Sequence, residues 1–345
     1  MGRKKTGLLA ALAVVLLALS VAGVYVYRLY YDRKLPNFTG SQDFYIYPET
    51  DPDSIVELLS ASGKVRSEAS LRRVFQGVTV LQTGHYRIDS TCSSMYVSRM
   101  LQKGWQTPVN LTLSGSIRTP DALVRKISAQ MLVDSVTVAA FVHSDDSLAR
   151  YGIDTHQLFT RVIPDTYQML WTASVREIFD RLVREADAWW TPERKQAAQA
   201  QGLTPQEAVV LASIVDGETK YVPEQPVIAG VYLNRLRTGM KLQADPTVAF
   251  CFDYKPARIL LSHLEVDSPY NTYKNFGLPP GPISCPPKSC LEAVLHPASH
   301  NYLYFCADPS FNGSHRFAAS YAQHLNNARA FQRALNQRNA ARESN

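Results

Sequence analysis

The chain opens on an unbroken apolar stretch: residues 7–27 carry no charge and are mostly Leu, Ala and Val. A helix of that length spans a bilayer. Beyond it the pattern shortens. Residues 44–47 alternate as a strand, and residues 53–60 and 67–75 read as helices, the second led by Ser67 with Glu68 in its first turn. A strand at 84–88 and a helix at 94–103 follow, then a strand at 109–113 and a helix at 119–132 capped by Thr119. Residues 175–190 form a long amphipathic helix, with Trp189 and Trp190 expected in the core or on a groove wall. Residues 320–342 read as a helix that turns polar toward its end and frays.

One helix breaks the amphipathic habit. Thr204 is a good N-cap, Pro205 suits the first helical position, and Glu207 completes a capping box. Ala208, Val209, Val210, Leu211, Ala212, Ile214 and Val215 then make it apolar almost all round, so it lies inside a core. Residues 223–238 read as a second such helix, with Gly239 as its stop. Residues 242–247 form a polar turn that leads into an apolar strand at 248–252.

Charge changes the picture only at the start. The formal net charge is +6, and Arg3, Lys4, Lys5, Arg28, Arg33 and Lys34 against Asp32 account for +5 of it. The basicity therefore flanks the apolar stretch and forms no face for nucleic acid. Tyr25, Tyr27, Tyr30 and Tyr31 sit at the far end as an aromatic belt. The expectation is a cytoplasmic N-terminus at residues 1–6, a transmembrane anchor at 7–27 and an extracytoplasmic body. A cleavable signal ending at Ala22 is the rival, and apolar sequence continuing past that point favours the anchor. An exported body permits disulfides, and residues 285–290 have the spacing to close a small loop between Cys285 and Cys290. No cluster has metal-ligand spacing beyond His296 and His300, where Pro297 argues against a helix, so no metal and no cofactor are expected.

The candidate chemistry sits at the end of the apolar helix. Glu218 there is expected to stay protonated near neutral pH, because burial disfavours the charged form. A held proton suits a general acid for cleaving a glycosidic bond. Asp216 is two residues away and faces elsewhere on a helix. The following loops are rich in uncharged hydrogen-bonding groups and rings, which suit a sugar polymer. Gln243, Asp245, Thr247, Tyr270, Asn271 and Tyr273 are the candidates for holding it. Asn234 reads either as a groove residue or as a structural amide bonding loop backbone.

Seven motifs in order carry a resemblance: L-A-S-I-V-D-G-E-T, V-Y-L-N-R-L, L-Q-A-D-P-T-V, S-P-Y-N-T-Y, G-L-P-P-G-P-I, H-P and Y-L-Y-F-C-A-D. The sequence resembles the YceG-like family of endolytic murein transglycosylases, closely from about residue 161 and loosely before it. The resemblance implies an α+β fold: an N-terminal transmembrane helix, a linker at 28–41, a small LysM-like α/β subdomain at 42–108, a connecting α/β region at 109–160, and a mixed α+β catalytic domain at 161–345. It implies that Glu218 is catalytic, although relatives carry Glu-Lys-Glu-Thr where this chain has Asp216, Gly217, Glu218 and Thr219. The implied reaction is that of a lyase. It cleaves the bond between N-acetylmuramic acid and N-acetylglucosamine inside peptidoglycan strands, leaves 1,6-anhydro ends and stops nascent strand growth. The implied setting is the inner (plasma) membrane, with peptidoglycan as substrate and penicillin-binding proteins of the elongation machinery as partners. Two rivals stand beside it: a hydrolytic glycosidase with Asp245 or Asp216 as second carboxyl, and a non-enzymatic glycan-binding scaffold.

Overall fold

Helix α1 (Gly2–Lys34) runs unbroken through the apolar stretch. The computed structural model describes the backbone of residues 2–343 and the side chains of residues 7–340. Arg3, Lys4 and Lys5, and with them the expected cytoplasmic segment 1–6, lie outside the described side chains, as does the tail from residue 341. From Gly7 to Lys34 the helix is long and apolar enough to cross a membrane. Its Leu, Val and Tyr side chains stand exposed from Leu8 to Tyr30, and no core takes them up.

The last turn of α1 is instead docked. Asp32 is buried and accepts the Arg73 guanidinium on both oxygens, at 2.7 and 3.0 Å, and the Ser70 hydroxyl at 2.5 Å. These contacts belong to the first of two compact units, residues 1–110 with 168–172. In chain order it holds β1 (Gln42–Ile46), α2 (Ile55–Ser60), α3 (Glu68–Phe75), β2 (Gly84–Ile88) and α4 (Ser94–Lys103). β1 and β2 pair antiparallel, with Phe44 opposite Tyr86. Ser67 caps α3 as expected, its hydroxyl accepting the Ser70 N–H. Phe38, Ile46, Ile55, Leu59, Leu71, Tyr86, Ile88 and Leu101 form the core of the unit.

The second unit takes in residues 111–167 and 173–345. Strands β3 (Val109–Thr112) and β4 (Thr166–Met169) pair along the stretches where the chain passes between the units. Between them come α5 (Pro120–Ser128), capped by Thr119 and shorter than expected, α6 (Ser135–Val142) and α7 (Asp145–Ala149). Then follow α8 (Val175–Trp189), α9 (Pro192–Ala200), α10 (Pro205–Glu218), α11 (Gln225–Arg237), α12 (Asp245–Cys251), α13 (Lys288–Leu295), the hairpin β5 (Tyr304–Ala307) and β6 (His315–Ala318), and α14 (Tyr321–Glu343). The architecture is mixed α+β, with three two-stranded sheets among the described residues.

The core of this unit is α10 and α11, with α13 packed on both. Both arms of the expected capping box at Thr204 and Glu207 are present, at 2.8 and 3.2 Å. Every residue of α10 from 208 to 216 is buried. Each buried Val, Leu or Ile contributes about 1.5–3 kcal/mol, so the helix is anchored well enough to carry an unfavourable group at its end. Trp189 and Trp190 meet edge to face at 4.9 Å in this core, the first under the Arg194 guanidinium.

One element is corrected. Residues 248–252 do not form a strand; α12 covers Asp245–Cys251. The apolar run is too short to show a period, and the start signal is local: Pro246 sits in the first turn with its φ preset for helix. Cys285 and Cys290 are not bridged, and all five cysteines are free. Cys285 gives its thiol hydrogen to the Val162 carbonyl at 3.2 Å.

Candidate active site

Glu218 occupies the last turn of α10, and the chain leaves the helix there because Thr219 is extended. Gly217 precedes it for a steric reason. A Cβ on Gly217 would meet the Pro246 ring at 2.5 and 2.9 Å, closer than such atoms pack. The glycine lets the start of α12 press against the end of α10, and that places Asp245 on the same cavity as Glu218.

The cavity has a volume of about 280 Å³. Glu218, Tyr232, Arg235, Gln243, Asp245 and Tyr273 form its polar lining, and Leu242, Tyr304, Phe305, Tyr321 and His324 complete the wall. Tyr232, on α11, donates its hydroxyl to Glu218 Oε1 at 2.5 Å. Tyr273 donates to Asp245 Oδ1 at 2.7 Å. Arg235, one turn beyond Tyr232, is buried and spends Nε on the Leu303 carbonyl and Nη1 on the Leu242 carbonyl, both at 2.6 Å. It supplies a fixed positive charge held by backbone.

The electrostatics favour a neutral Glu218. Its pKa is raised from 4.5 to about 7, mainly by burial. The Tyr232 hydrogen bond and the Arg235 charge pull it down, and the Asp245 charge pushes it up. Burial raises the Tyr232 and Tyr273 hydroxyls too, Tyr232 well above its usual 10, so both remain donors.

Asp216 has other partners. It is buried, and Lys220 Nζ reaches its carboxylate at 2.5 Å, with the Ser284 hydroxyl at 3.4 Å. It lines no part of the cavity. The six loop candidates divide as well. Gln243, Asp245 and Tyr273 line the cavity. Gln243 does so through a left-handed backbone (φ 50°), uncommon for a residue with a side chain and a mark of local strain. Thr247, Tyr270 and Asn271 are buried behind it. Thr247 and Thr272 share a hydrogen bond at 2.9 Å that ties the two loop motifs together. Asn271 donates to the Leu264 and Val266 carbonyls, both at 2.8 Å. Tyr270 packs on Phe250 at 4.5 Å, with its hydroxyl 3.3 Å from His156 Nδ1. Asn234 is structural, holding the His300 and Tyr302 carbonyls at 2.9 and 3.1 Å.

A larger cavity of about 830 Å³ lies by the start of α10, lined by Thr204, Glu207, Arg237 and residues 277–280. Its one carboxylate, Glu207, is engaged by the Thr204 backbone N–H. It offers no free acid, so its size does not make it the reactive site. No group of three or more metal-ligating side chains exists among the described residues.

The model of the YceG-like family matches residues 44–330. The chain belongs to the YceG-like family. An endolytic murein transglycosylase of Bacillus subtilis is 26% identical over 294 residues, which cover 79% of each chain. One of Streptococcus pneumoniae is 25% identical over 335 residues, which cover 86% of this chain and 60% of that protein. The crystal structure of a YceG-like protein from Listeria monocytogenes superposes with a TM-score of 0.55 at 25% identity, covering 84% of this chain and 99% of the other.

Sequence reasoning missed Tyr232 and Arg235 as members of the site. Both stand inside the V-Y-L-N-R-L motif, where Tyr232 reads as one more apolar position of a core helix. The signal was available: a tyrosine and an arginine three apart on a buried helix share a face, and an arginine there needs acceptors. Tyr304, Phe305, Tyr321 and His324 were missed because their approach to Glu218 is long-range.

Proposed function

We propose that the chain is a membrane-anchored endolytic murein transglycosylase in which Glu218 is the acid and then the base. The observation that carries the reading is a carboxyl whose pKa is raised to about 7, in a cavity walled by aromatic rings and hydrogen-bonding side chains. Neutral Glu218 protonates the bridging oxygen between N-acetylmuramic acid and N-acetylglucosamine as the bond to C1 breaks. The carboxylate then takes the proton of the muramic C6 hydroxyl as O6 closes on C1, which leaves a 1,6-anhydro end. One carboxyl serves both halves, and no water enters the products. Gln243, Asp245 and Tyr273 hold the sugars against it, and Thr247, Tyr270 and Asn271 hold those loops in place.

Support comes from the family membership and from the names borne by the relatives. The test is mass spectrometry of products released from purified sacculi. Anhydro-ended fragments from the wild type, and none from Glu218→Gln, are the expected result. Asp245 on the same cavity favours one rival, hydrolysis with two carboxyls, and reducing ends in place of anhydro ends would select it.

The anchor reading extends to topology. The basic start and the tyrosine belt favour a cytoplasmic N-terminus and an extracytoplasmic body. Protease added to spheroplasts should digest the body and spare the start, and a mature chain beginning at Gly23 would refute the anchor. The strand–helix–helix–strand order of the first unit supports reading it as a LysM-like module. Its part-exposed Tyr45 and Tyr47 rings, edge-on to Trp171 at 4.9 and 5.0 Å, suit stacking on sugar. Unchanged retention of a Tyr45→Ala, Tyr47→Ala double variant on sacculi would remove that role. The same setting makes penicillin-binding proteins the natural partners.

A further inference from the structure

The two oxygens of the Glu218 carboxyl have unlike surroundings. Oε1 accepts the Tyr232 hydroxyl. Oε2 has no hydrogen-bond partner among the described residues, and Glu218 is half-buried and lines the cavity. Oε2 is therefore the oxygen that meets a substrate. A neutral carboxyl has one donor oxygen and one acceptor oxygen. An oxygen already accepting a phenol hydrogen is the acceptor of the two.

We propose that Tyr232 is a positioning residue that assigns the transferable proton of Glu218 to Oε2 and holds the carboxyl in that orientation through both proton transfers. The inference rests on the reading of Glu218 as the proton donor. The proton leaves Oε2 for the bridging oxygen as the C1–O bond breaks. The carboxylate keeps the Tyr232 bond, which is now charge-assisted and stronger. The C6 hydroxyl proton then returns to Oε2 as O6 bonds C1, and Glu218 is neutral again.

Tyr232 is built for a fixed role. It is 1% exposed, and Phe305 meets its ring edge-on at 6.0 Å. The other groups facing Glu218 do not substitute for it. Arg235, from the same helix, has Nε and Nη1 committed to backbone carbonyls. Asp245 from α12 is held by Tyr273. Tyr304 and Phe305 from β5, and Tyr321 and His324 from α14, form the wall without a hydrogen bond to the carboxyl. Among the described residues Tyr232 is the one side chain bonded to it.

The experiment is the pH–rate profile of the full-length protein on sacculi, together with infrared titration of the carboxyl by difference against Glu218→Gln. In Tyr232→Phe the bond that lowers the Glu218 pKa is gone. The alkaline limb and the infrared midpoint should both rise by about one pH unit, the size of a hydrogen bond to a charged group. The plateau rate should fall about tenfold or more as orientation is lost. Replacing Tyr232 by 3-fluorotyrosine keeps the shape and strengthens the donor, so the midpoint should move down instead. This second variant decides the matter if the phenylalanine variant does not fold. A midpoint that stays put in a folded variant would overturn the inference. The infrared midpoint does not depend on which product forms, so it separates this failure from a failure of the transglycosylase reading, which product analysis of the wild type tests.

Discussion

The two sides of the last turn of α10 treat a carboxyl in opposite ways. Asp216 faces inward, is buried, and is matched by the Lys220 ammonium and the Ser284 hydroxyl. Glu218, two residues on, has a phenol in place of a cation and is pushed up to about 7. Helical geometry separates the two by direction, and the packing against each face decides which partners each carboxyl meets. The same division of face and back runs through the loops. Gln243, Asp245 and Tyr273 stand at the cavity, while Thr247, Tyr270 and Asn271 brace it from behind. The lesson is that a motif read as one functional block is two sets of residues, and substitutions on the two sides should fail differently.

The largest contrast is expected at the face. Glu218→Gln removes the transferable proton and keeps the shape, so product release should fall by about 10²–10⁴-fold. Activity of the wild type should itself fall as pH rises through about 7, because the acid form is lost. Stability should move the other way in the variant. The folded pKa of Glu218 lies above its ordinary value, so the folded state holds the proton that the unfolded chain has released. The stability this contributes is full below about 4.5 and is lost as pH rises through about 7. Glu218→Gln removes that loss, and at pH 8 it should be about 1–3 kcal/mol more stable than the wild type. Melting curves of both proteins at pH 5 and pH 8 check it. Equal responses to pH would mean that the carboxyl is not desolvated.

At the back, Tyr270→Ala should act through folding. The ring is 5% exposed and packed on Phe250, and removing a buried aromatic costs about 3–5 kcal/mol. Denaturant unfolding reads this directly. A stable variant with poor activity would move Tyr270 to the face.

Between face and back lies Gly217. An alanine there drives a Cβ into the Pro246 ring at 2.5 Å, which overpacks the contact by about 1–3 kcal/mol. Since Pro246 opens the helix that carries Asp245, activity should fall along with stability. A crystal structure of the variant should show α12 displaced from the end of α10.

What was legible in the sequence follows the same division. The capped, apolar α10 and its terminal glutamate were readable because caps and periodicity are local signals. So were the strands and helices of the first unit, whereas α1 runs past the expected span of 7–27 to Lys34, into what reads as a linker at 28–41. The helix at Asp245–Cys251 reads as a strand from its pattern, since five apolar residues carry no period and the one local helix signal is the Asp-Pro start. The split among the loop candidates was not readable. Which way Gln243 points depends on a single left-handed residue, and the burial of Thr247 depends on Thr272 in a segment 25 residues away. Tyr232 was hidden by its own environment, because an aromatic ring on a core helix looks like packing until its hydroxyl is seen to reach Glu218.

The smallest expected effect tests the back carboxyl. Asp216→Asn keeps the volume and the acceptor for Ser284 but removes the charge matched by Lys220. Lys220 is 60% exposed, so water takes over most of what the carboxylate gave, and the loss should be about 1 kcal/mol or less. Activity should stay within about twofold of wild type, because Asp216 lines no part of the cavity and one factor of ten would require 1.36 kcal/mol at the barrier. The pH at which activity declines should also hold, since the charge that pushes Glu218 up comes from Asp245. If Asp216→Asn instead abolished turnover while the protein stayed folded, the inward carboxyl would be part of the chemistry, and the division between the two sides of this turn would fail at the residue that defines it.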